Sequence, residues 1–272
     1  MRLLVVDSFT ERPFAGNPAG VCLLDGPAEP DWMQRVAAEM KHSETAFVRP
    51  LGADDPDADF ELRWFTPVVE VVLCGHATLA AAHALFSTGT AEAGRPLRFR
   101  TLHSGVLTVA PAPGGGLAMD FPSCPPEETT EPDGLSAALG APVSWTGRTP
   151  VNDVLAEVAD AKTVRGLAPD LAALGAIEAR GVIVTAPAEP GADHDFVSRF
   201  FGARGLRADG EDPVTGSAHC ALSPYWSARL GRDDLTGYQA SERGGYVRTE
   251  LRGDRVVLTG GAVTILDGTL TA

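Results

Sequence analysis

The sequence predicts an α+β fold of two pseudo-symmetric halves, each a strand-rich barrel around a central helix. Three observations predict it. A set of short segments recurs in one order along the chain, each half contains one glycine-led helix of small apolar residues, and alternating apolar runs suited to strands surround both helices.

The duplication comes first. Thr45-Ala46-Phe47-Val48-Arg49-Pro50 resembles Val182-Ile183-Val184-Thr185-Ala186-Pro187, and Asp59 to Phe65 matches Asp195 to Phe201. Gly75-His76-Ala77-Thr78-Leu79-Ala80 matches Gly216-Ser217-Ala218-His219-Cys220-Ala221, and Gly105 to Val109 matches Gly245 to Thr249. The spacing drifts only between 136 and 141 residues, so the four matches form one ordered set.

Each copy then reads alike. A short helix opens it: Asp31 to Met40, with Trp32, Val36 and Met40 four apart, and Pro169 to Leu174 in the second copy. Two strand-like runs follow, then the small-residue helix, then a strand–turn–strand pair. The first small helix runs from Gly75 to Phe86 and stops before Gly89. The second runs from Gly216 to Leu230, stops at Gly231 and carries Pro224, which predicts a kink. Helices so small and apolar are expected inside a wall of strands. Gly114-Gly115-Gly116 reads as a hairpin turn, and the Pro- and Glu-rich stretch from Ser123 to Asp133 as the boundary between halves 1–125 and 126–272.

Composition narrows the function classes. Hydrophobic residues at 44% and charged residues at 21% are ordinary for a water-soluble fold, and no apolar run is long enough to span a bilayer. A net charge of −14 argues against nucleic acid and anionic membranes as partners, because both need clustered Lys and Arg. The start of the chain shows no signal peptide, and the four cysteines form no C-x-x-C pair, so a reducing, cytoplasmic setting is expected.

The two helix starts carry the chemistry. A helix N-terminus offers four unpaired N–H groups and the positive end of its dipole, and glycine lets a ligand approach the backbone. Two such ends at a shared site could hold a substrate carboxylate and a developing oxyanion. Each fixed donor to that oxyanion is worth about 3–4 kcal/mol of barrier. The candidate side chains are not symmetric: Glu44, where the first helix gives way to a strand, has Gly181 as its counterpart, while Asp212 before the second helix has Val71. His76 beside Gly75 corresponds to Ser217 beside Gly216. The plainer alternatives are a solvated Glu44, a capping Asp212, a helix-start His76 and a buried, apolar-like Cys74. Cys74, His76, His83, His219 and Cys220 lack the spacing of a metal site, so no metal is expected, and no dinucleotide, phosphate-loop or hydrolase-elbow motif is present.

Val6-Asp7-Ser8-Phe9-Thr10 with Gly16-Asn17-Pro18, Ser43 to Phe47, Arg63 to Pro67, Leu73 to Ala80 and Glu211 to His219 run in order across nearly the whole chain. In these stretches the sequence resembles the phenazine-biosynthesis isomerase (PhzF-like) family. The resemblance implies a diaminopimelate-epimerase-like fold, an active site between the halves, proton transfer without a cofactor and often a homodimer. It implies Glu44 as the acid/base, with His76, Asp212 and Ser217 as the other polar site residues. Backbone groups near Gly75, Ala77, Gly216 and Ser217 would hold the acidic group of a small carboxylate substrate, beside Cys74 and Thr215. Val72 and Lys41 stand where the family often has Asp and Asn.

In the wider superfamily, epimerases and racemases place a cysteine before each central helix. Here the places hold Cys74 and Thr215, and a threonine alkoxide is far too basic to stand in for a thiolate, which disfavours a symmetric two-thiol racemase. A one-base isomerase is the leading expectation. A cysteine-assisted amino-acid epimerase and a non-catalytic ligand binder on the same fold are the alternatives.

Overall fold

The computed structural model describes residues 1–52, 55–202 and 210–271. The chain separates into two units, Met1–Asp120 joined by the residues from Thr259 onward, and Phe121–Leu258.

The first unit opens with β1 (Arg2–Ser8) and β2 (Asn17–Leu23), an antiparallel pair. Helix α1 (Pro30–Met40) begins with proline at its first turn, as the fixed proline φ favours, and buries Met33, Val36 and Ala37. It ends at Lys41, whose φ of 57° is the left-handed cap that glycine or asparagine usually supplies. The helix carries the chain to β3 (Glu44–Pro50), parallel to β2, and β4 (Phe60–Phe65) then pairs antiparallel with β3. The two-residue β5 (Glu70–Val71) folds back on the end of β4 and delivers the chain to α2 (Gly75–Ser87). Then β6 (Leu97–Arg100) runs parallel to β4, and β7 (Val106–Pro111) and β8 (Leu117–Pro122) follow as hairpins, the second turned by Gly114, Gly115 and Gly116, all at positive φ.

Helix α2 packs on β1, β2, β3 and β7 and buries every residue from His76 to Ala82. Its alanines let strands approach on all sides, so the small apolar composition is what a central helix requires. Helix α1 covers the outer face, where Met33, Val36 and Ala37 join Cys22, Phe47 and Phe65.

The second unit repeats this plan. After β9 (Glu127–Glu128) and α3 (Leu135–Leu139) come the antiparallel β10 (Val143–Arg148) and β11 (Asp153–Val158). The short helix expected at Pro169 to Leu174 is α5 (Leu171–Leu174), and a further helix that the sequence reading does not include, α4 (Ala161–Gly166), precedes it. Asp160 and Asp170 each cap a helix start by accepting backbone N–H groups. Strand β12 (Gly181–Pro187) is parallel to β11, β13 (Phe196–Gly202) antiparallel to β12, and the two-residue β14 (Glu211–Asp212) folds back on β13. Helix α6 (Gly216–Leu230), β15 (Asp234–Gln239) parallel to β13, β16 (Gly245–Arg252) and β17 (Arg255–Gly260) complete it. Every pairing from β2–β3 to β6–β7 therefore has its counterpart from β11–β12 to β15–β16.

Successive residues on β11 and β12 serve two cores. Leu155 and Ile183 pack with Phe196, Leu222 and Trp226 around α6, while Val154, Val182 and Val184 pack under α3 to α5 with Leu135 and Val164. Burial on both faces accounts for apolar residues at the successive positions Val182, Ile183 and Val184, where the sequence reading expects alternation. Helix α6 continues through Pro224. Proline removes the N–H that would bond the Cys220 carbonyl, and that carbonyl accepts the N–H of Cys124 instead, at 3.0 Å.

The last strand, β18 (Ala262–Thr269), returns to the first unit and lies antiparallel along β1 from Ser8 to Arg2. The chain passes from the first unit to the second at 120/121, and the C-terminal residues pair with the N-terminal strand. No helix among the described residues is long and apolar enough to cross a membrane.

Candidate active site

Local folding gathers Glu44, Cys74 and His76 in the first unit. Glu44 is the first residue of β3, held beside Ala19 by the parallel pairing with β2. Cys74 is the residue at which α2 begins, and His76 is in its first turn. The imidazole bridges the other two: Nδ1 lies 3.4 Å from Cys74 Sγ, and Nε2 lies 3.4 Å from a Glu44 carboxylate oxygen. Ser43 Oγ is 3.5 Å from the same Nε2 and donates to Asn17 Oδ1 at 3.4 Å, while Ser8 donates to the His76 carbonyl at 2.9 Å. The His76 side chain is 7% exposed and that of Glu44 16%, so charge interactions here are only weakly screened by water.

In one tautomer His76 donates from Nε2 to Glu44 and accepts at Nδ1 from the Cys74 thiol, a connected path for a proton. The same three residues each turn one ligand atom inward within 4.8 Å, the oxygen, sulfur and nitrogen donors a cation would need. No side chain caps the start of α2, which leaves the first-turn N–H groups around Gly75 and Ala77 without a side-chain cap bond.

The second unit assembles a different set. Asp212 ends β14 and accepts a 2.6 Å hydrogen bond from Thr215 Oγ1. Fully buried Gln239 braces this loop: its Nε2 donates to the Asp212 carbonyl at 2.7 Å, and its Oε1 accepts the Thr215 N–H at 2.9 Å. Thr215 begins α6, again with no side-chain cap, followed by Gly216 and the exposed Ser217. Ser217 Oγ accepts a 3.0 Å bond from Arg180, the residue before β12. The counterpart of Glu44, Gly181, has no room for a side chain, since a Cβ there would lie 2.3 Å from the Phe200 ring.

The remaining histidines and cysteines of the sequence reading lie outside these groups. His219 donates from Nδ1 to the Thr215 carbonyl at 2.8 Å, repeating Thr78, which donates to the Cys74 carbonyl at 2.7 Å. Burial pulls the His219 pKa down to about 4, so the ring is neutral at pH 7. Burial pushes the thiols of Cys22 and Cys220 up to about 12, far from the thiolate a nucleophile needs.

Sequence reasoning missed one duplicated device. Arg63 grips Glu70 through two bonds of 2.8 Å, and Arg199 grips Glu211 through two of 2.7 Å. Each fork ties the two-residue strand leading to a central helix, and each guanidinium also lies over a phenylalanine, Phe65 or Phe201. The signal was available: the repeat aligned Arg63 with Arg199, and each copy has a glutamate in the loop beyond.

The model for the phenazine biosynthesis-like protein family matches residues 6–268. The chain belongs to that family. An uncharacterized isomerase of Halalkalibacterium halodurans is 44% identical over 97% of this chain and 96% of its own length. A crystal structure of a PhzF-family protein from Enterococcus faecalis is 38% identical, covers 98% of this chain and 97% of that one, and has a TM-score of 0.90. A hydroxyproline epimerase from Agrobacterium vitis, solved with bound trans-4-hydroxy-L-proline, shares the fold at 14% identity over 98% of this chain and 91% of that one, with a TM-score of 0.61. The two-unit architecture is thus the PhzF-like, epimerase-like fold, and the family is one of isomerases.

Proposed function

We propose that this PhzF-like protein is a cofactor-independent isomerase that moves a proton on a small carboxylate-bearing substrate, with Glu44 as the general acid/base. The observation that carries it is the 3.4 Å approach of Glu44 to His76, two largely shielded side chains, with Gly181 at the position of the second unit that corresponds to Glu44. Glu44 would take a proton from a carbon next to a carbonyl or carboxylate and return it to another carbon, with His76 holding the carboxylate in place. Asp212 and Ser217 would complete the site with them. The first-turn N–H groups of α2 and α6, near Gly75, Ala77 and Gly216, would stabilise the substrate's acidic group and the developing oxyanion. A homodimer in a reducing, cytoplasmic compartment belongs to the same proposal.

The substrate class has support from the distant hydroxyproline epimerase, a fold relative with a small cyclic carboxylate bound. The test is deuterium uptake from D2O, followed by NMR over a panel of small cyclic carboxylates that includes trans-4-hydroxy-L-proline. A positioned acid/base contributes about 10²–10⁴-fold, so Glu44→Gln should lower uptake by that factor. Uptake unchanged in Glu44→Gln would overturn the proposal.

A second reading makes Cys74 the base, supported by the 3.4 Å contact of its sulfur with His76. The corresponding residue is Thr215, whose hydroxyl donates a hydrogen bond to Asp212, so a matching second thiol is missing and the one-base reading is better supported. Uptake that vanishes in Cys74→Ser but survives Glu44→Gln would reverse that order.

A further inference from the structure

The duplication assigns a role to Arg180. It immediately precedes Gly181, the counterpart of Glu44, so its own counterpart is Ser43. In the first unit Ser43 links Asn17, the first residue of β2, to His76 in the first turn of α2. In the second unit Arg180 links Asp153, the first residue of β11, to Ser217 in the first turn of α6. The same three places are connected in both units, and only the second puts a cation there.

That cation is built in. The Asp153 side chain is fully buried, and its Oδ2 accepts from Arg180 Nη2, which also donates to Ser217. The guanidinium lies 5.5 Å from the centre of the Phe200 ring, the same ring that excludes a side chain from Gly181. One face is thereby fixed against an aromatic surface. Burial raises the Asp153 pKa and the Arg180 charge opposes that rise. Among the described residues only Nη2 of Arg180 has acceptors, and Nε is buried with none. An arginine has five N–H donors in a planar fork, so this one has donors to spare beside the exposed Ser217. A protein of net charge −14 repels anions at long range, which makes a fixed local cation the effective means of holding one.

We propose that Arg180, braced by Asp153 and steered by Ser217, is the residue that receives the substrate's carboxylate. The assignment rests on the reading that this fold moves a proton on a carboxylate. It adds the charge that backbone N–H groups lack and gives the halves separate tasks: Glu44 handles the proton, Arg180 the anion.

Benzoate is a suitable probe, with benzamide as its uncharged counterpart, and binding is read by NMR titration. The wild-type protein should prefer benzoate. Arg180→Gln should weaken benzoate at least tenfold with little effect on benzamide, and Arg180→Lys should recover part of the loss because it keeps the charge without the fork. Removing one member of a buried ion pair can unfold a protein. The double variant Asp153→Asn with Arg180→Gln therefore substitutes a neutral amide pair, and should lose benzoate in the same way. Glu44→Gln should keep benzoate binding. Undiminished benzoate binding in either arginine-to-glutamine variant, or no preference for benzoate in the wild type, overturns the assignment. Loss of benzoate in the arginine variants together with normal deuterium uptake in Glu44→Gln would instead retain the anion site and refute the proton-transfer reading.

Discussion

His76 Nε2 and Glu44 Oε2 lie 3.4 Å apart although they come from different elements, the first turn of α2 and the first residue of β3. The parallel β2–β3 pairing fixes Glu44, and the β5 return followed by the start of α2 fixes His76. If His76 orients the acid/base, His76→Asn should lower deuterium uptake by about 10²-fold while leaving KM for the same carboxylate within a few-fold. Parallel measurement of kcat and KM checks it. An effect confined to KM would assign His76 to binding alone.

The Arg199–Glu211 fork holds the strand that ends in Asp212. Its side chains are 12% and 19% exposed, so removing one partner leaves a poorly solvated charge. Arg199→Met should cost on the order of 3 kcal/mol in urea unfolding. Arg199→Lys should restore only part of that, since an ammonium cannot copy the two-point grip.

His219 makes stability depend on pH. Its pKa is about 4 in the folded chain and 6.5 as the ordinary histidine value, so between those limits the unfolded chain binds a proton that the folded one does not. Stability is therefore greatest above pH 6.5 and falls as pH drops to about 4, by on the order of 3 kcal/mol from this group. His219→Thr copies Thr78 of the first unit and removes the titration. Urea midpoints between pH 7 and 4.5 should show a flatter slope for that variant than for the wild type.

Gly181 cannot take a side chain without moving Phe200. Gly181→Ala should destabilise by about 1–3 kcal/mol through overpacking, and should weaken benzoate through the displaced ring under Arg180. Thermal unfolding with the benzoate titration tests both.

The sequence alone determined the duplication and the two central helices, including the stop of α6 at Gly231, whose φ is 68°. It also separated Glu44 from Gly181 and His76 from Ser217, because aligned repeats expose any change of residue type. These features are local: helix periodicity, capping glycines and strand alternation are all written in neighbouring residues. Tertiary structure decided what depends on register between distant segments. The Cys74–His76–Glu44 contact needs β3 beside β2, and the Arg180–Asp153 pair needs β12 beside β11. The return of β18 to β1 joins residues over 250 apart, such as Val5 and Leu266. Pairings of that kind follow from the packing of many side chains at once, which no short stretch of sequence encodes.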